Sequence, residues 1–281
     1  MNLIIQAVHD IPAAQLNHLA GLTTASSIEQ IGTQAYRLCD TKVHDAVAAY
    51  CWENRLDYAF IAPQRKLADF GLLAMDMDST LIAIECIDEV ADMYHLKPQV
   101  AAITEASMRG ELEFAEGLRR RVALLAGLEE SALARVYDER LRLSPGAESM
   151  LATIKQHGIK TLLLSGGFVF FAERLQQRLG LDFAHANTLE VVNGKLTGKV
   201  LGDILDAQGK ADWLLRIRNE LGLSPEQVIA MGDGANDLKM MAQAGISIAY
   251  HAKSIVRSQA NYALNFVGLD GLPCLFGACG R

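Results

Sequence analysis

The chain has no excess of positive charge: 26 Lys and Arg against 33 Asp and Glu leave a net charge of −7 over 281 residues. That balance argues against a nucleic-acid footprint and suits a small charged ligand held in a local pocket. No apolar run approaches the roughly 18 residues that a membrane-spanning helix needs, so no membrane association is expected. Residues 1–10 have neither a basic lead nor a cleavage pattern, and Asp10 and Pro12 interrupt their short apolar run, so no signal peptide is expected. Cysteines are few. Cys39, Cys51, Cys86, Cys274 and Cys279 are an odd number without zinc-type spacing, and they read as reduced thiols of a cytoplasmic protein. The seven histidines show no paired ligand spacing, and no internal repeat or low-complexity segment is visible.

What the chain does contain is an ordinary balance, 51% hydrophobic and 21% charged, long enough to bury a sizeable core in one large or two small domains. Its organising stretch is Met75-Asp76-Met77-Asp78-Ser79-Thr80, preceded by the apolar Gly71-Leu72-Leu73-Ala74. Residues 72–75 read as a fully buried strand, with the aspartates where it emerges at its carboxyl end. In extended chain, side chains two residues apart share a face, so Asp76 and Asp78 point the same way with Cα atoms roughly 7 Å apart. Two carboxylates aimed at one small volume repel each other unless a cation or a proton compensates. Taken alone, such a D-x-D would be a turn former after a strand.

Residues 1–70 read as a separate small α+β unit. Strands are expected over residues 2–8, 28–38 and 58–61, and helices over residues 13–20 and from a Thr41 cap to about residue 54. From Leu72 the period becomes strand, helix, strand, the signature of a doubly wound, Rossmann-like α/β parallel sheet with right-handed crossovers. One excursion interrupts it: about residues 84–142 read as four consecutive helices, the second running from near Pro98 to Gly110. An insert directly after the D-x-D strand sits above the strand's carboxyl end, where such sheets bind ligands, and is placed to be a lid or cap.

Further along, Ser144 and Pro145 read as a helix start and Gly158 as its end. Residues 159–164 form a second buried strand, stopping at Ser165-Gly166-Gly167 where a helix begins. Val192-Asn193-Gly194-Lys195 is a hairpin signal. A helix covers about residues 210–221. Residues 228–231 form a third strand, ending in Gly232-Asp233-Gly234-Ala235-Asn236-Asp237, and residues 246–249 and 262–266 are further strands. Three strands thus end in polar or glycine-rich signals, and a doubly wound sheet brings such ends to one edge.

D-x-D-x-T, then S-G-G, then a lysine, then G-D-G-x-N-D resembles the signature of the haloacid-dehalogenase-like phosphatases. The longer agreement from Asp76 to Asp88, at Arg119-Arg120-Arg121-Val122 and from Gly232 to Asp237 is similar to the phosphoserine-hydrolysing branch of that family. The resemblance covers about residues 72–266. Residues 1–70 lie outside it; they resemble the ACT-like amino-acid-sensing modules of biosynthetic enzymes, or serve packing or homodimer formation. The main resemblance implies hydrolysis of O-phosphoserine, the last step of serine biosynthesis. Asp76 would be the nucleophile that forms an aspartyl-phosphate, and Asp78 the general acid and base. Asp76, the backbone carbonyl of Asp78 and Asp233 would hold Mg²⁺. Ser165, Gly166 and Lys210 would meet phosphoryl oxygens, Asn236 the substrate, and Asp237 would support the metal and Lys210.

Glu85, seven residues beyond Asp78, is the expected partner of the substrate ammonium. Arg121 falls on the line Phe114-Leu118-Arg121-Leu125 beside the apolar stripe, whereas Arg120 points with Glu113 and Glu116 to solvent. Arg121 is therefore the expected clamp for the substrate carboxylate. Two other functions fit the same residues: a phosphotransferase passing the phosphoryl group to another alcohol such as homoserine, and a serine-sensing regulatory protein with a vestigial site.

Overall fold

The computed structural model describes residues 1–108 and 111–279. The N-terminal part is built from β1 (Asn2–Gln6), α1 (Ala13–Thr23), β2 (Ser27–Gly32), β3 (Ala35–Cys39), α2 (Ala46–Glu53) and β4 (Asp57–Ile61). Its four strands form an antiparallel sheet in the order β2-β3-β1-β4. Alternation along β1 sends Leu3 and Ile5 into a small core with Leu16, Leu19, Leu38, Val47 and Leu56, while Ile4 joins the large core of the rest of the chain.

The second part follows in the order β5 (Leu72–Met75), α3 (Cys86–Met93), α4 (Lys97–Met108), α5 (Phe114–Ala123), α6 (Ser131–Arg135), α7 (Ala147–Gln156), β6 (Lys160–Phe168), α8 (Val169–Leu179), β7 (Phe183–Val192), β8 (Lys195–Leu201), α9 (Ala207–Glu220), β9 (Val228–Gly232), α10 (Leu238–Met241), β10 (Ile246–Tyr250), α11 (Ser254–Arg257), β11 (Tyr262–Leu264) and α12 (Gly271–Leu275). The sheet order is β11-β10-β9-β5-β6-β7-β8. All neighbours are parallel except the β7–β8 hairpin, which turns through Asn193 and Gly194 with φ of +52° and +76°.

Strand β5 is central and buried throughout. Its side chains alternate between two cores: Leu73 and Met75 pack with Leu163, Ile229 and Met231, Leu72 and Ala74 with Leu162, Val228 and Ala230. Burying each such leucine stabilises the fold by about 2 kcal/mol. Both faces are therefore filled, and the free volume lies at the carboxyl edge, under the helices α3 to α6 that separate β5 from α7.

Several local expectations are corrected. The strand expected over residues 28–38 is a hairpin, β2 and β3, because the chain reverses between Gly32 and Ala35. Thr41 caps no helix; its hydroxyl donates to the Met1 carbonyl at 3.0 Å, and α2 starts after Asp45. Nor does Ser144 cap α7, which begins after Gly146 at φ +76°; the Pro145 carbonyl accepts the Leu269 N–H instead. The end expected for the second cap helix, Gly110, lies outside the described residues. Cys274 and Cys279 are not free thiols but are joined as a disulfide, because the turn after α12 returns the chain onto itself. Cys39, Cys51 and Cys86 are free. Among the described residues, no helix is long and apolar enough to cross a membrane.

Candidate active site

Asp76 leaves the end of β5 in extended conformation, its N–H bonded to the Met231 carbonyl of the neighbouring β9. The chain then makes a wide turn over Met77–Leu81 in which Ser79 takes φ +56°, a left-handed conformation uncommon for a non-glycine residue. The turn closes by hydrogen bonds from the Ser79 N–H to the Ile84 carbonyl and from the Ser79 hydroxyl to Glu85 Oε1 at 2.7 Å. Asp76 and Asp78 thereby line the same cavity, of about 610 Å³, with Glu85, Arg121, Gly166, Asp233 and Asn236 also on its wall.

Lys210 sits in the first turn of α9, whose start is capped by Asp206 accepting the Gln208 and Gly209 N–H groups. Its ammonium is 1% exposed and donates to Asp76 Oδ1 at 2.6 Å and to Asp237 Oδ1 at 2.7 Å. The Met77 N–H also donates to Asp76 Oδ1, and the Gly234 N–H to Asp237 Oδ2. Both oxygens of Asp237 and one of Asp76 are thus engaged, while among the described residues Asp76 Oδ2 accepts no hydrogen bond and the Asp233 carboxylate is met by its own backbone N–H. Ligand atoms of Asp76, Asp233 and Asp237 all lie within 4.8 Å of one another. This all-oxygen donor set, with Asp76 Oδ2 and most of the Asp233 acceptor capacity open, fits a hard divalent cation.

Electrostatics follow from crowding. Burial pushes the Asp76 carboxyl well above the usual carboxylate range; Asp237 adds to this and Lys210 opposes it. Asp78 is also raised by burial, against the Cys86 N–H and the Ser165 hydroxyl that hold it at 2.8 and 3.1 Å. Asp233 is pushed up to about 6 by burial and by Asp237, and Glu85 to about 7 by burial and Asp78.

The Ser165-Gly166-Gly167 segment departs from expectation. No helix begins there: β6 continues to Phe168 through an irregular stretch, and α8 starts at Val169. The buried Asn187 of β7 holds the segment, its Nδ2 donating to the Gly166 carbonyl at 2.9 Å and its Oδ1 accepting the Leu205 N–H at 2.7 Å. The Ser165 hydroxyl, fully buried, donates to Asp78 and accepts the Gly167 N–H at 2.8 Å. A Cβ on Gly167 would stand 2.8 Å from Asp78 Oδ2, and one on Gly166 would stand 2.9 Å from the Phe114 ring of the cap, so a side chain at either position would displace a group on the cavity wall.

At the cap end, Arg121 lies on the cavity wall with Glu85, while Arg120 pairs with Glu116 at the surface. Among the further lining residues that carried no expectation are Asp88, Lys253 and Ile255. Asp88 stands one helical turn beyond Glu85, and that i, i+3 spacing was the available signal. Lys253 and Ile255 follow β10; Lys253 stands three residues beyond its carboxyl end, and the edge rule that drew attention to Asp233 applies equally to it.

A haloacid dehalogenase-like hydrolase family profile matches residues 70–245, and a domain of unknown function matches residues 3–47. The phosphoserine phosphatase of Polaromonas sp. is 54% identical over 215 residues, 75% of this chain and 91% of that protein. Among solved structures, a probable phosphoserine phosphatase from Vibrio cholerae, in unliganded form, superimposes with a TM-score of 0.86 at 39% identity, over 99% of this chain and 87% of the other. A phospho-aspartyl intermediate analogue of a phosphoserine phosphatase does so with a TM-score of 0.69 at 36% identity, over 74% of this chain and 99% of the other. With its D-x-D strand end, its bridging lysine and its third acidic strand end gathered at one cavity, the chain belongs to the haloacid dehalogenase-like hydrolases and, within them, to the phosphoserine phosphatase family.

Proposed function

We propose that this protein is an Mg²⁺-dependent phosphatase that hydrolyses O-phosphoserine to serine and phosphate through an aspartyl-phosphate on Asp76. The observation that carries the reading is the double grip of Lys210 on Asp76 and Asp237 with the Asp233 carboxylate beside them. Residues 1–70 are assigned as a small α+β domain, regulatory (ACT-like) or dimerising, and residues 71–281 as the phosphatase domain, with its cap at about residues 84–142.

Asp76 Oδ1 is held by two donors, the Met77 N–H and Lys210, which fixes the carboxylate and leaves Oδ2 to attack phosphorus. The Oδ2–P bond forms as the bond from phosphorus to the seryl oxygen breaks. Asp78, whose burial favours the protonated form, gives its proton to that departing oxygen. It then takes a proton from the water that attacks the aspartyl-phosphate, and phosphate leaves as Asp76 is regenerated. A divalent cation, held by Asp76, Asp233 and the Asp78 backbone carbonyl, would neutralise charge on the phosphoryl oxygens. Gly166, with Ser165 behind it, cradles the phosphoryl group, and Asn236 orients it from the opposite strand end. Asp237 keeps Lys210 charged and in place. At the far end of the cavity Glu85 takes the substrate ammonium and Arg121 its carboxylate, which is what separates phosphoserine from a simple phosphate ester. The product is serine, which places the reaction at the close of a serine-forming sequence.

A phosphate-release panel of phosphoamino acids and sugar phosphates tests this. Phosphoserine is expected to be hydrolysed fastest; chelation should abolish release, and added Mg²⁺ should restore it. Equal rates on phosphoserine and on an ester without amino and carboxyl groups would remove the roles of Glu85 and Arg121. Phosphohomoserine formed in the presence of homoserine would make the enzyme a transferase.

A further inference from the structure

We propose that Lys253 is a substrate-binding residue whose ammonium holds the phosphoryl group from the solvent side of the cavity, as the exposed counterpart of buried Lys210. The proposal rests on the phosphatase reading above.

Charge makes the case first. Five carboxylates line the cavity, those of Asp76, Asp78, Glu85, Asp88 and Asp233, and the cations on its wall among the described residues are Arg121 and Lys253. A phosphate monoester dianion is repelled by such a wall unless cations stand near its oxygens. Arg121 cannot serve that end, since its guanidinium interacts with Asp88, Glu85 and Asp78 beneath the cap. Lys210 lies behind the wall with its ammonium bonded to two aspartates. Lys253 alone among the lining cations interacts with Asp233, on the side where the phosphoryl group must sit if Asp76 is to attack it.

Geometry makes it second. The Lys253 N–H donates to the Asp233 carbonyl at 3.1 Å, which ties its backbone to the loop that carries Asp233. Two residues earlier, the His251 N–H donates to the Leu264 carbonyl at 2.8 Å and its ring Nε2 meets the Val267 carbonyl at 2.9 Å. The segment from β10 to α11 is thus anchored at both ends. The Lys253 ammonium itself makes no hydrogen bond or ion pair among the described residues, and its nearest recorded electrostatic partner is the Asp233 carboxylate. An anchored stem with an uncommitted ammonium on an acidic cavity wall is suited to meeting an incoming anion.

The test combines kinetics with direct binding. Lys253→Ala should lower kcat/KM for phosphoserine about tenfold, most of it through KM, and weaken inorganic phosphate by a similar factor in calorimetric titration of the Mg²⁺-loaded protein. Lys253→Arg should restore both to within about threefold, and Lys253→Glu should weaken both beyond the alanine variant. Added NaCl should depress wild-type kcat/KM more steeply than that of Lys253→Ala. An alanine variant with wild-type KM and phosphate affinity would overturn the proposal; should that variant fold poorly, Lys253→Gln carries the same expectation. A wild-type protein that hydrolyses some other phosphomonoester but not phosphoserine would overturn the substrate reading alone, and the phosphate affinity would still decide on Lys253.

Discussion

The two sheets of this molecule are built from the same stock of short apolar strands, yet only one gathers chemistry at its edge. In the antiparallel N-terminal sheet, successive strand ends point in opposite directions, so the polar residues that follow them are scattered. In the sheet centred on β5, parallel pairing sends the loops after β5, β6, β9 and β10 to one side, and a cavity forms where they meet. Their buried acids show the same contrast. Asp57, at the start of β4 and 1% exposed, accepts four hydrogen bonds from residues 265–267: the N–H groups of Asn265, Phe266 and Val267 and the Asn265 side chain. It is saturated and joins the two parts of the chain. Asp233, beside two other carboxylates, is met among the described residues by its own backbone N–H rather than by a ring of donors. A satisfied carboxylate holds structure together, whereas an unsatisfied one is available to a ligand.

The largest expected effect is at the nucleophile. Asp76→Asn should lower kcat by at least about four orders of magnitude while Asp57→Asn stays within about threefold of wild type; similar losses in steady-state assays would erase the contrast between the two acids. Next comes Lys210→Ala, which strands two buried carboxylates and should cost roughly 3–5 kcal/mol in urea unfolding. Asp57→Ala should cost on the order of 3 kcal/mol by the same measurement, because it leaves buried N–H donors without an acceptor, and kcat should hardly change. The smallest effect is a matter of pH. Glu85 must be ionised to hold an ammonium, and burial places its carboxyl at about 7, so the acid limb of kcat/KM for phosphoserine should rise through that region and weaken below it. Glu85→Gln should flatten this limb while leaving the pH profile of a phosphate ester without an amino group unaltered.

Much of the cavity edge was legible because its signals are local. The D-x-D strand, the Asn-Gly hairpin and the helical period of the cap each occupy a handful of consecutive residues, and backbone geometry alone interprets them. Arg121 could be separated from Arg120 by helical phase, and the two side chains do part, one to the cavity wall and one to Glu116 at the surface. Ser165-Gly166-Gly167 was recognisable as a special segment but not as an extension of β6, since the residue that holds it, Asn187, lies 21 positions from Gly166. The Cys274–Cys279 pair, the starts of α2 and α7, and the break between β2 and β3 escaped for related reasons: a turn or a distant carbonyl decided each of them.

From its residues alone this chain determined which groups can do chemistry: the carboxylate proposed as nucleophile, its neighbour, a third acidic strand end and a lysine to balance them. Their chemical types and their order relative to strands and helices are properties of the covalent chain. Only the tertiary structure decided which oxygens are occupied and which are open, that Lys210 bonds two aspartates that follow different strands, and that Lys253 lines the cavity with its ammonium unpaired among the described residues. The Lys210–Asp76 bond alone joins positions 134 residues apart, and such distances are set by packing rather than by any local pattern.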